Sequence, residues 1–278
     1  MIYFDPFRSN PDRTKPAHNG EVLNLFLMLS VLKRACGIEK SEDNPVGSLD
    51  LLVTDSEAAY ILGLWCADGY YRSSSIGLTN VDKCLIKRFE SFLLRFLPKD
   101  RLRMRTYFPV GTNPHENNFQ YEMRHAKQIA YQCYVNSRPL LRLFMSAEKE
   151  LPSLSQEMIM PYFAGRFDGD GSIAPDLRSD LRIAYGNLLE AEQDLALLNK
   201  LKCFEATVYR YRSARTYVLY IRRTSAPIFL TSIKPFSVKV QSLCPVETRS
   251  GNSERMERFS DKLHKTLVSV RAIKSANR

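Results

Sequence analysis

Two stretches of the chain decide how it folds: Ile61-Leu62-Gly63-Leu64-Trp65-Cys66-Ala67-Asp68-Gly69 and Phe163-Ala164-Gly165-Arg166-Phe167-Asp168-Gly169-Asp170-Gly171. Both read as buried helices. Each places small residues four positions apart, Gly63 with Ala67 and Gly165 with Gly169. Residues so spaced share one helix face, and small side chains there let two backbones approach closely. Each stretch closes on a glycine, Gly69 or Gly171, which predicts a left-handed helix cap. Directly before each glycine stands an aspartate. The C-terminal end of a helix is partially negative and disfavours a carboxylate by about 0.3–1 kcal/mol, and two such ends brought together repel further. Protonation or cations must relieve that repulsion, and hard oxygen donors select Mg²⁺ or a relative. Two carboxylates gripping divalent ions beside basic strands suit phosphodiester hydrolysis, in which metals activate water and stabilise the attacking and leaving oxygens.

Around these stretches the order of elements repeats. In the first copy, Thr54 with Glu57 reads as a capping box that opens a helix through Ala67, and a short strand pair follows over 70–79. Leu85, Ile86, Phe89, Phe92, Leu93, Phe96 and Leu97 recur at helical spacing until Pro98. Period-two alternation over Arg101–Phe108 and again over Asn118–Arg124 predicts a hairpin, and a helix runs from Ser137 to about Ala147. The second copy has a helix near Gln156–Asp168, strands near Ser172 and over Leu181–Tyr185, and a helix over Leu188–Leu201. Strands over Ala206–Arg212 and Thr216–Arg222 and a helix over Ser225–Ile233 complete it. A repeat of this length implies two related units, so the fold class is α+β, built from two αββαββα units. Their expected spans are 51–152 and 153–245. An arm and helix occupy 1–50, the helix over Glu21–Cys36, and a basic tail occupies 246–278.

The bulk composition is that of a globular protein, 44% hydrophobic and 25% charged. Lysine and arginine outnumber the acids by 40 to 30, a net +10 that suits a polyanionic partner. The six cysteines are scattered, without a CxxC pair, which argues against a zinc site or a disulfide framework and for a reducing compartment. The longest apolar run, Val22–Leu32, is too short to span a bilayer. No Gly-rich phosphate loop, HExxH or GxSxG occurs, which excludes the nucleotide hydrolases, zincins and α/β-hydrolases that depend on them. Asp168-Gly169-Asp170 could open a calcium loop, but that pattern needs glycine where Ile173 stands and glutamate where Ser179 stands.

Both stretches resemble the LAGLIDADG motif, and the double-motif order from about Thr54 to Gln241 is similar to that of the monomeric homing endonucleases. The resemblance implies motif helices packed at a pseudo-twofold interface, with antiparallel sheets forming a saddle over DNA. It places the metal-binding acids at Asp68 and Asp170, with the backbone carbonyls of Ala67 and Gly169 as further contacts. At the sixth motif position the second copy keeps Asp168 and the first has Cys66. Phe236-Ser237-Val238-Lys239 resembles the segment that delivers a catalytic lysine, here Lys239. Asn80 and Lys149 are the first-half candidates. The DNA-facing rows would be Arg101, Arg103, Arg105 and Tyr107 in the first half, and Tyr209, Arg210, Tyr211, Arg212, Arg222 and Arg223 in the second, reading base edges and gripping phosphates.

The resemblance thus implies a site-specific endonuclease that makes a double-strand break in a long asymmetric DNA target with Mg²⁺, for which Mn²⁺ substitutes. Each aspartate would serve one strand, in a monomer that serves the mobility of an intron and works in the cytoplasm, or in an organelle matrix if an organelle intron encodes it. Met1-Ile2 and Asn277-Arg278 are not the ends expected of an intein. The alternative is a cleavage-deficient relative acting as a transcription regulator or an RNA-splicing maturase. Retention of both aspartates favours the nuclease.

Overall fold

The computed structural model describes residues 48–112, 119–173, 181–211 and 216–242. The expected arm, the Glu21–Cys36 helix, the basic tail and Arg212 lie outside the described residues. Helix α1 (Ser48–Leu52) buries Leu49 and Leu52, and the Leu49 N–H donates to Glu150 Oε2 at 2.8 Å. The first motif helix, α2 (Ser56–Asp68), opens on Asp55, whose carboxylate accepts the Ala58 N–H at 2.8 Å. The cap is therefore Asp55 and not Thr54. An aspartate there meets both an unpaired N–H and the positive end of the helix.

After α2 the chain enters β1 (Gly69–Tyr71), β2 (Ser75–Asn80) and α3 (Lys83–Leu93). Gly69 has φ −60° and ψ 139°, so it does not cap the helix in the left-handed region but passes straight into the strand. Gly171 likewise begins a strand and is not among the described positive-φ residues. At Gly69 the side chain is excluded by closeness: a Cβ would stand 2.2 Å from the Trp65 carbonyl oxygen.

The rest of the first sheet differs from expectation. It comprises β3 (Arg103–Pro109), β4 (Phe119–Met123) and β5 (Ala130–Asn136), in the order β1-β2-β5-β3-β4. β3 and β4 are not a hairpin: they pair in parallel, Tyr107 opposite Tyr121, while β5 inserts antiparallel between β2 and β3. The missed strand, Ala-Tyr-Gln-Cys-Tyr-Val-Asn, is buried along most of its length, so the two-residue alternation that marks a half-buried strand is absent. The first copy therefore carries five strands, not four. Arg101 ends a 3-10 turn (Lys99–Arg101) and does not share a strand with Arg103. Ile76, Leu78, Cys133, Val135 and Thr106 are fully buried on the sheet face covered by α3 and by α4 (Arg138–Lys149).

The second motif helix, α5 (Gln156–Asp170), packs along α2. Compactness divides the chain between Asp170 and Gly171, so both motif helices belong to the first unit. The sequence repeat, by contrast, begins again near residue 153. The two divisions differ because α5 buries its apolar length against α2.

In the second unit, β6 (Gly171–Ile173), β7 (Leu181–Tyr185), β8 (Ala206–Tyr211) and β9 (Thr216–Ile221) form an antiparallel sheet in the order β6-β7-β9-β8. Helix α6 (Leu188–Lys200), capped by Asn187, packs on it, and Tyr185 donates to the buried Asp194 at 2.8 Å. Helices α7 (Ala226–Ile233) and α8 (Val238–Ser242) follow.

Candidate active site

The approach of α2 to α5 is made possible by glycine. A Cβ on Gly63 would lie 2.0 Å from the Tyr162 carbonyl oxygen, and one on Gly165 would lie 2.0 Å from the Tyr60 carbonyl oxygen. Any side chain at either position would collide with the backbone of the other helix. The pair stays close to its C-terminal ends, where a Cβ on Gly169 would meet the Ala67 Cβ at 2.4 Å and Asp68 Oδ2 at 2.9 Å. The carboxylate of Asp68 thus lies against the backbone that immediately precedes Asp170, and both aspartates are half-buried. Both are the last residues of their helices, where the dipole is least favourable to them.

Asn80, at the end of β2, donates from Nδ2 to Asp68 Oδ2 at 2.7 Å, while its Oδ1 accepts the Asp82 N–H at 2.7 Å. Holding the carboxamide at both ends fixes the Asp68 carboxylate in turn. In the second unit, Lys239 donates from Nζ to the Gly171 carbonyl at 2.7 Å, placing a half-buried ammonium against the residue that follows Asp170 in sequence. Lys149 is exposed at the end of α4. Among the described residues no three His, Cys, Asp or Glu side chains gather as a metal cage. What the helix tips bring against the Gly169 backbone is the Asp68 carboxylate, an oxygen donor. Such donors fit a hard divalent cation better than a soft one.

Tyr60 and Asp168, not singled out from the sequence as a pair, meet between the helices: the Tyr60 hydroxyl donates to Asp168 Oδ2 at 2.7 Å, and both side chains are buried. Burial first, and then the Asp168 charge, push the Tyr60 phenol far above its usual range, so it remains a donor. Arg88 of α3 lies with its Cζ 3.4 Å from the Tyr60 ring centroid and pairs with Glu57 in a two-pronged bridge at 2.8 and 2.5 Å.

On the first sheet, strand register sets Arg103, Arg105 and Tyr107 on the face away from the helices, with Gln132 and Tyr134 of β5, Thr79 of β2, and Phe119 and Tyr121 of β4. Tyr107 donates to Gln132 Oε1 at 3.1 Å, and Gln132 donates to Thr79 Oγ1 at 2.8 Å. The Arg105 guanidinium lies 4.4 Å from the Tyr134 ring centroid and 5.5 Å from that of Tyr121. Burial disfavours its charge, but the Tyr107 hydrogen bond and the electrostatic influence of Tyr134, Tyr107 and Tyr121 together outweigh this and hold Arg105 above its ordinary pKa. Arg103 donates to the Asp100 carbonyl, and Arg101 reaches the Asn136 carbonyl at 3.4 Å from its turn. Gln132, Tyr134 and Tyr121 were missed as members of this face. For Gln132 and Tyr134 the signal ran through β5, whose buried pattern hid it, whereas Tyr121 lay within the alternation over Asn118–Arg124.

On the second sheet, Tyr209 and Tyr211 share the face away from α6 with Arg182, Thr207 and Tyr220. Arg210 points to the opposite side, 5.9 Å from the Tyr217 ring centroid. Arg222 follows β9 and stands 3.8 Å from Glu205, and Arg223 is exposed beside it. The structure therefore groups the two tyrosines and adds Arg182, but does not group Arg210 with them.

The architecture, mixed α and β with motif helices packed through glycine, is the LAGLIDADG homing endonuclease fold. Residues 55–143 match the family model described as a LAGLIDADG-like domain. In structure it is similar to I-DmoI solved in complex with DNA and Ca, with a TM-score of 0.50 and 19% identity over 68% of this chain and 96% of that one. I-DmoI in complex with DNA and Mn matches with a TM-score of 0.47 and 20% identity, covering 64% and 96%. Full-length DUF199/WhiA from Thermatoga maritima matches at 0.47 and 18%, covering 84% and 71%. No curated protein sequence matches the chain. No described helix is long and apolar enough to cross a membrane.

Proposed function

We propose that the protein is a divalent-metal-dependent, site-specific DNA endonuclease. The observation that carries this reading is the convergence of two helix tips through Gly63, Gly165 and Gly169, which sets the Asp68 carboxylate against the backbone preceding Asp170. Two acids at two negative helix ends are costly to a fold that makes no use of them. The solved neighbours in complex with DNA and Mn or Ca agree with such a use.

Asp68 and Asp170, with the carbonyls of Ala67 and Gly169, would hold Mg²⁺ or Mn²⁺, which supplies water activation and neutralises charge at the phosphate. The chain's own groups do the positioning. Asn80 holds Asp68 through Oδ2. Lys239, seated on the Gly171 carbonyl, presents a cation that favours developing negative charge. Arg103, Arg105, Tyr107 and Tyr121 on one sheet, and Tyr209, Tyr211 and Arg182 on the other, offer basic and aromatic surfaces for phosphates and base edges. A chain of net +10 suits that partner. In this reading the protein works as a monomer on an asymmetric target, in the compartment that holds the DNA of its encoding element.

The test is incubation of the full chain with Mg²⁺ and a randomised duplex library, followed by sequencing of cut ends. A defined cut site supports the reading. Selective binding without cleavage in either Mg²⁺ or Mn²⁺ would replace it with a cleavage-deficient regulator.

A further inference from the structure

The motif helices are built alike at their glycines but not around their sixth motif positions. With Asp68 and Asp170 taken as equivalent, Tyr60 corresponds to Tyr162 and Asp168 to Cys66, while Glu57 corresponds to the fully buried Ile159. With the helix caps Asp82 and Asn187 taken as equivalent, Arg88 corresponds to Gln193. The chain of contacts Glu57, Arg88, Tyr60, Asp168 thus has no counterpart of the same residue types at the equivalent positions Ile159, Gln193, Tyr162 and Cys66. It joins three elements, α2, α3 and α5.

An aspartate only 2% exposed is costly to bury even when hydrogen-bonded. The motif repeat does not call for one there, because the equivalent place in α2 holds the half-buried Cys66. A buried polar contact retained at such a cost serves best as a register device: it is satisfied in one sliding and rotational setting of the helices, whereas apolar contacts tolerate several. Asp168 lies two residues before Asp170 and next to Gly169, whose backbone abuts Asp68 Oδ2. Rotation of α5 would therefore move the Asp170 carboxylate relative to Asp68.

We propose that Tyr60 and Asp168, braced by Arg88 and Glu57, are positioning residues that set the acidic tip of α5 against that of α2 and so tune divalent-cation binding at Asp68 and Asp170. This rests on the endonuclease reading for its consequence but not for its measurement. Groups that orient metal ligands contribute about 10–100-fold to metal affinity or activity when removed.

The experiment is Mn²⁺ titration of the full chain, followed by electron paramagnetic resonance, for the wild type, Tyr60→Phe and Asp168→Asn, with thermal melting and cleavage measured in parallel. Tyr60→Phe deletes one oxygen and is expected to weaken Mn²⁺ binding about tenfold or more. Asp168→Asn keeps an oxygen to accept the tyrosine hydrogen bond and is expected to bind Mn²⁺ much closer to wild type than Tyr60→Phe does. If Tyr60→Phe lowers the melting temperature but leaves the Mn²⁺ titration unchanged, the contact is structural and the proposal is overturned. If the variants behave as expected but no DNA is cut, the positioning role stands and the endonuclease reading falls. A wild type that binds no Mn²⁺ overturns both.

Discussion

At Gly165 the backbone of one helix touches the backbone of another, and no side chain can be added without moving one of them. Gly165→Ala puts a Cβ 2.0 Å from the Tyr60 carbonyl oxygen. The helices must separate, so a loss of about 1–3 kcal/mol is expected in denaturant unfolding, together with reduced cleavage. Gly186→Ala is the control: a Cβ there meets nothing within 4 Å, and a change below about 0.5 kcal/mol is expected. The spacing of these glycines was readable from the sequence because i, i+4 identity needs no knowledge of the partner. Tyr60 with Asp168 was not readable, since the two are 108 residues apart and neither side chain is unusual by itself. Asp170 carries the sharpest prediction at this scale. Asp170→Asn removes a charge without changing shape, so DNA affinity in a filter-binding or gel-shift assay should stay within about twofold of wild type. Cleavage should fall by more than about a hundredfold if the carboxylate holds a metal that activates water. Lost DNA binding with an intact fold would show the residue has another task.

Helices and strands were legible to unequal degrees, for physical reasons. α6 was placed almost to the residue because Asn187 caps it and Leu197 and Leu198 fall on its buried face. β5 escaped because a strand covered on both faces shows no alternation, and without β5 the pairing of β3 could only be guessed as a hairpin. The start of α2 was misread by one residue: Asp55, not Thr54, accepts the free N–H. That cap has a pH signature. Burial alone would raise the Asp55 pKa, but its hydrogen bonds from Arg95 and the Ala58 and Glu57 N–H groups, together with the Arg95 charge, outweigh burial and hold it below its ordinary value of 3.8. A carboxyl depressed in the folded state adds stability that is fully present above the unfolded value and is lost as pH falls through the folded one. Asp55→Ala should therefore cost about 0.5–2 kcal/mol near neutral pH. The difference between variant and wild type should shrink below about pH 4 in melts across an acid series. A difference that persists unchanged into strong acid would mean the cap acts through shape and not charge.

Over the whole molecule, the duplication visible in the sequence is a duplication of scaffold more than of chemistry. The caps Ser137 and Ser225, each followed two residues later by proline, align α4 with α7, and on that alignment Lys239 corresponds to Leu151, a buried apolar residue. Asn80, which holds Asp68, corresponds by the same reasoning to Tyr185, whose hydroxyl is committed to Asp194. One aspartate is thus served by a carboxamide and the other is followed by a lysine-bound glycine. On the proposed endonuclease reading, two such unlike sites should cut the two strands of a duplex at unlike rates. Lys239→Met keeps the length of the side chain and removes its charge, so it should slow one strand far more than the other. On a supercoiled plasmid bearing the target, the variant should convert substrate to nicked circles at close to the wild-type rate and then linearise them at least about tenfold more slowly, the effect expected of removing one charged group from a transition state. Equal slowing of both steps would mean that Lys239 supports the fold or the DNA contact in general, and no change in either would remove it from the chemistry.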